Sequence, residues 1–188
     1  LDRVETLLEQ VASNPDQGNL EVRRLDALAD LATRRGRIAY SAKEQRLDEA
    51  FAFWNEADKL YQRSSQTAID LNQRYNERNR GLLQFTWASG LRNANRLEEA
   101  LTQSEAYISL CRVLLQQQNT PTAQRDLTKG LILGFLTRRS LSKAADQPSE
   151  ITKLQDESQL LLEEATALSE RLHFGDLEDV RSLELWAE

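Results

Sequence analysis

The side chains on which most catalytic sites depend are almost missing from this chain. It has one histidine, His173, and one cysteine, Cys111, in 188 residues. A zinc site built from His and Cys needs several such ligands at fixed spacing, so it is excluded. An internal disulfide framework is excluded as well, and the lone thiol fits a reducing compartment. No signal-peptide pattern opens the chain, so a cytoplasmic location is expected. Methionine is absent altogether. Leu1, Val4, Leu7, Leu8 and Val11 already fall on one helical face. The chain is therefore expected to be a fragment of a larger protein that continues upstream. Only three prolines and seven glycines interrupt it. Its longest apolar run, Leu131 to Leu136, is broken by Gly134 and cannot cross a bilayer. Excess positive charge is missing too: the net charge is −6, which argues against broad nucleic-acid affinity. No segment alternates with period two, so no strand is expected.

Helices with an internal likeness are what the chain does contain. Arg46 to Leu60 reads RLDEAFAFWNEADKL, and Arg96 to Leu110 reads RLEEALTQSEAYISL. A worn third copy runs from Glu163 to Leu172. The pairs Glu56-Ala57, Glu105-Ala106 and Glu164-Ala165 lie 49 and 59 residues apart. Self-similarity of this kind marks a helical repeat. The length fits one domain or one compact solenoid.

Leu97, Glu99, Ala100 and Leu101, behind the polar turn Asn93-Ala94-Asn95, resemble the start of the second helix of a tetratricopeptide (TPR) repeat. Trp87, Ala88 and Leu91 resemble its first helix. Thr120 to Leu127, TPTAQRDL, is similar to the junction between units in degenerate bacterial TPR arrays, and Asn14-Pro15-Asp16 is a fainter echo. The resemblance covers most of residues 20–172. The spacing exceeds the roughly 34 residues of an ordinary TPR unit, and no proline follows Leu60. It implies an all-α, right-handed α-solenoid of stacked antiparallel helix pairs, about seven helices, in a single domain over residues 1–188. The expected units are 20–65, 66–119 and 120–173, with 1–13 left from a preceding unit.

The individual helices follow from stripe and punctuation. One is expected from about Asp2 to Ala12, ending before Pro15. The next runs from Leu20 to Ser41, with Leu25, Leu28, Ala29, Ala32 and Ala39 inside and Gly36 as a weak point. Leu47, Ala50, Phe51, Trp54, Ala57 and Tyr61 form the stripe of the third. Ser64-Ser65 is the expected break after it, with serine capping a helix from Gln66 to Arg92, or one that breaks again near Asn76–Asn79. That helix carries Ile69, Leu71, Tyr75, Leu82, Leu83 and Trp87. Helices from Leu97 to Gln117 and from Thr120 to Leu141 follow, the latter with Thr120 as N-cap and Pro121 at its first position. Ser142 to Ser149 is a loop, and a helix from Glu150 to Leu172 ends at His173-Phe174-Gly175. A short acidic helix is placed at Leu177 to Ala187.

Each chemically suggestive residue has a plain structural role that outweighs a catalytic one. His173 suits a helix C-terminus, where the dipole favours partial charge. Cys111 suits a core. The pairs Glu98-Glu99, Asp156-Glu157 and Glu163-Glu164 suit a solvated face. Gly130 and Gly134 suit a close helix crossing. No enzymatic activity, metal or cofactor is expected.

The arginines carry the functional expectation. Arg34, Arg35 and Arg37, then Arg92 and Arg96, then Arg138, Arg139 and Lys143 cluster late in three first-of-pair helices. Dipole complementarity explains this at roughly 0.3–1 kcal/mol per charge. The resemblance implies more: the first helices of TPR-like arrays line a concave surface. Arg34, Phe85, Ser89, Arg92, Asn93 and Arg138 are then the candidate partner-binding residues, suited to an acidic protein or peptide. The expected function is a protein–protein interaction scaffold or regulatory domain. The alternative is a ligand-sensing domain of a signalling kinase, cyclase or transcription regulator.

Overall fold

The computed structural model describes residues 18–42, 46–67 and 72–171, and among them it is all-helical, with six helices and no strand. They are α1 (Gly18–Ser41), α2 (Leu47–Thr67), α3 (Asn72–Asn93), α4 (Leu97–Gln117), α5 (Pro121–Ala144) and α6 (Pro148–Arg171). The helices expected at 2–12 and 177–187, and His173, lie outside the described residues. Helix pairs pack consecutively, α1 on α2, α4 on α5 and α5 on α6. The chain forms two compact units, Leu1–Trp87 and Ala88–Glu188.

In the first unit the expected stripes meet. Leu25, Ala29, Ala32 and Ala39 of α1 pack with Ala50, Phe51, Trp54, Ala57 and Tyr61 of α2 in the core, while Leu28 and Leu47 are only half-buried. Trp54 is 1% exposed and its indole N–H donates to the Thr33 carbonyl at 3.3 Å. Its ring lies 5.7 Å from those of both Tyr40 and Phe51, a normal aromatic spacing. Gly36 does not break α1. It is buried, and a Cβ there would run into the Trp54 indole.

The expected break at Ser64-Ser65 is not where α2 stops. The helix continues through both serines to Thr67. Ser64 is fully buried, donates to Asp26 of α1 at 2.6 Å and accepts from the Asn76 amide of α3 at 2.7 Å. A serine already satisfied by two side chains inside a helix is not free to cap the next one. The turn to α3 lies outside the described residues, as do Ile69, Leu71 and the side chain of Tyr75.

In the second unit, α3 closes as the polar turn predicts. Asn95 adopts φ 58°, Asn95 N–H donates to the Arg92 carbonyl, and Arg96 N–H donates to the Leu91 carbonyl. This is a Schellman closure with asparagine at its left-handed position. Thr120 accepts from the Ala123 N–H at 3.2 Å, with Pro121 at the first position of α5. The loop expected at Ser142 to Ser149 is shorter: α5 reaches Ala144 and α6 begins at Pro148. Proline's fixed φ and missing N–H suit a first turn, so Pro148 starts that helix. Ala100, Tyr107, Ile108 and Cys111 of α4, Leu127, Leu131 and Phe135 of α5, and Ala165 and Leu168 of α6 are buried. Gly130 and Gly134 sit where α5 is crossed. A Cβ at Gly130 would lie 3.0 Å from Tyr107, and one at Gly134 2.9 Å from Ile108 and 3.0 Å from Leu161.

Candidate functional site

The second unit carries a groove that brings charged groups from three helices together. Arg138 of α5 reaches carboxylates of both α4 and α6, and Arg112 of α4 pairs with Glu164 of α6, so α4 and α6 flank a shared side of α5. Side chains of α4 at 105, 108, 109, 112, 113 and 116 repeat at helical spacing and face this side. Leu161 faces them from α6, and Arg138 rises from α5 between the two. The groove has a volume of about 400 Å³. It opens to solvent, since Glu105, Arg112 and Glu164 at its edges are one-third to one-half exposed.

Arg138 is the pivot. Its side chain is 10% exposed, with Nη2 donating to Glu105 of α4 at 2.6 Å and Nε donating to Glu157 of α6 at 3.2 Å. Lys153 approaches the other Glu157 oxygen at 3.8 Å. Arg112 of α4 pairs with Glu164 of α6. Buried charge must be compensated, and here two carboxylates compensate one guanidinium. Arg138 Nη1 is sealed from solvent and has no acceptor among the described residues.

The expected binding residues are distributed differently from a single row. Arg34 and Phe85 belong to the first unit, and Ser89, Arg92, Asn93 and Arg138 to the second. Arg34 is exposed and Arg92 half-exposed, and neither enters an ion pair among the described residues. Phe85 and Ser89 are half-buried and Asn93 is exposed, and each already has contacts of its own. Ser89, Arg92 and Asn93 share a face of α3 by their spacing. Arg138 is held between α4 and α6, so it offers no free cation. Glu105, Glu157, Arg112 and Glu164 were not singled out from the sequence as partners of arginines. The partners of Arg112 and Arg138 lie 52, 33 and 19 residues away, and no local pattern pairs them.

A second polar cluster joins the helices of the first unit. Ser64 links Asp26 to Asn76, Tyr61 donates to Asp30, and Arg80 pairs with Asp58 at 2.6 Å. Burial pushes the Asp26 carboxyl above its ordinary range, against the opposing hydrogen bonds from Ser64 and Asn76. Burial, then the bond to Asp30, holds the Tyr61 phenol protonated well above its ordinary range. Among the described residues no group of three or more His, Cys, Asp or Glu is placed to hold a metal ion. No helix there is long and apolar enough to cross a membrane. Neither a family model, nor a curated protein, nor a solved structure matches the chain.

Proposed function

We propose that this chain is a non-catalytic interaction module, a TPR-like right-handed solenoid that holds a protein or peptide partner. The observation that carries the reading is the open groove between α4 and α6, walled by both apolar and charged side chains. A small-molecule sensor calls for an enclosed, mostly apolar pocket, whereas a peptide needs an open trough. Consecutive packing of helix pairs supports the repeat architecture. The scarcity of histidine and cysteine supports a role without catalysis. Arg34 in the first unit and Arg92 in the second are each accessible cations, and each by itself could hold a carboxylate of an acidic peptide.

An array of dodecapeptides of varied charge, screened by fluorescence anisotropy, tests the reading. Saturable binding of some peptides is expected. For an acidic peptide at the arginines, affinity should fall with salt, because exposed charges are screened over about 8–10 Å. It should fall again in Arg92→Ala. A flat response from every peptide overturns the module reading.

A further inference from the structure

The first and last described helices, α1 and α6, each leave an apolar side chain in water among unpaired charges, and the two sets of charges have opposite sign. On α1, Ile38 is 56% exposed. Arg34 lies one turn before it and Arg37 beside it, so the three share the outer face of the last two turns. Both arginines are exposed, and neither enters an ion pair among the described residues. Asp30, the exposed acid on that face, already accepts the Tyr61 hydroxyl. On α6, Leu160 is 65% exposed. Asp156 lies one turn before it and Glu163 one turn after it, with Glu170 two turns further on. These three acids are exposed and form no ion pair among the described residues, Glu163 accepting only the Gln159 amide at 3.0 Å. Lys153, the exposed cation of this face, leans toward Glu157 at 3.8 Å. Ile38 and Leu160 are the most exposed large apolar side chains among the described residues. One such residue alone means little. Two of them in settings of opposite charge are complementary.

We propose that the outer face of α1 binds the outer face of α6 on a second copy of this chain. Ile38 packs on Leu160, and Arg34 and Arg37 meet Asp156 and Glu163. A turn of helix rises only about 5.4 Å, so charges one turn from the two apolar residues come within reach of each other when those residues touch. Each face carries what the other lacks, and the complement is therefore present on the chain itself. Like charges repel, which disfavours α1 on α1 and α6 on α6. The contact is then heterologous: a copy bound through α1 still offers its own α6 to another. A contact between two helix faces is small, so the association is weak and salt-sensitive. The inference goes beyond the module reading and shares only Arg34 with it.

Sedimentation velocity of the full chain over a concentration series tests this. The weight-average sedimentation coefficient should rise with concentration in low salt. It should rise less at about 1 M salt, where the screening length is about 3 Å. The double variants Arg34→Glu/Arg37→Glu and Asp156→Lys/Glu163→Lys should each weaken self-association about tenfold or more, because attraction becomes like-charge repulsion. Mixed together they should associate again, since each face of one then meets the opposite charge on the other. Leu160→Ser should weaken association at constant salt sensitivity. Glu56→Lys/Glu98→Lys makes the same change of charge at exposed acids of α2 and α4 and should leave association unchanged. All these positions are on the surface, and unchanged circular dichroism verifies that each variant is folded. A chain that is monomeric at every concentration overturns the contact. So does a mixture of the two reversed variants that stays monomeric, or an equal loss in Glu56→Lys/Glu98→Lys, which would mean diffuse attraction. If a monomeric chain still binds peptides of the array, the module reading stands while this contact falls.

Discussion

The Trp54 indole fills the space that a side chain at Gly36 would need. The glycine that looks like a weak point in α1 is what lets the largest core residue of the first unit lie against that helix. Gly36→Ala gains about 1 kcal/mol of helix propensity. It must also displace a fully buried ring, and overpacking costs about 1–3 kcal/mol. The variant should therefore be less stable, and Trp54→Ala less stable by about 3–5 kcal/mol. Urea midpoints measure both. A Gly36→Ala protein more stable than its parent would show that the ring does not sit there.

Asp26 should make the first unit sensitive to pH. Its carboxyl titrates above the ordinary value of 3.8 because burial disfavours its charge. Between 3.8 and the raised value, the folded state keeps a proton that the unfolded chain has lost. Stability from this group therefore falls as pH rises through that window. Glu21 and Glu99 act in the opposite sense. Their arginine partners lower their values, so their contribution is lost as pH falls. Glu99 is largely exposed and its pairing is screened. Asp26→Asn can still accept from Ser64. Its stability relative to the parent should rise from pH 4 to pH 7, as followed by urea denaturation across that range. A difference independent of pH would contradict a raised Asp26.

Thr120 is a working cap, so Thr120→Ala should cost about 1 kcal/mol, with the loss restored in large part by Thr120→Ser. Thermal unfolding of the three proteins decides it. Equal midpoints would mean that Pro121 alone starts α5.

Arg138 and Arg92 should separate in stability. Removing Arg138 strips two charged hydrogen bonds that join α4, α5 and α6, but its glutamate partners are exposed enough to turn to water. A cost of about 1–3 kcal/mol is expected for Arg138→Ala. Arg92→Ala should stay within about 0.5 kcal/mol, as a surface change does. Equal urea midpoints for the two variants would contradict the bridging role of Arg138.

The helices themselves were legible, because their signals are local. The apolar stripe of α2, the cap at Thr120-Pro121 and the turn at Asn95 each depend on residues within a few positions of one another. A helix's own periodicity and terminal hydrogen bonds determine them. The misplaced break at Ser64 shows where that logic ends. By itself a serine pair looks like a cap. Only the arrival of Asp26 and Asn76, 38 and 12 residues away, makes Ser64 a buried link.

The arginines show the same division. That cations gather late in three helices is visible in the chain, and so is the likeness between the Arg46 and Arg96 segments. Whether a given cation is open or bound depends on which helix lies across from it. Arg34 remains exposed, while Arg138 points between two helices that each supply a glutamate. Local periodicity therefore determined the helices, their caps and their buried faces. Tertiary packing decided the partners of Ser64, Gly36 and Arg138 and created the groove, because each needs side chains from helices far apart in sequence to meet.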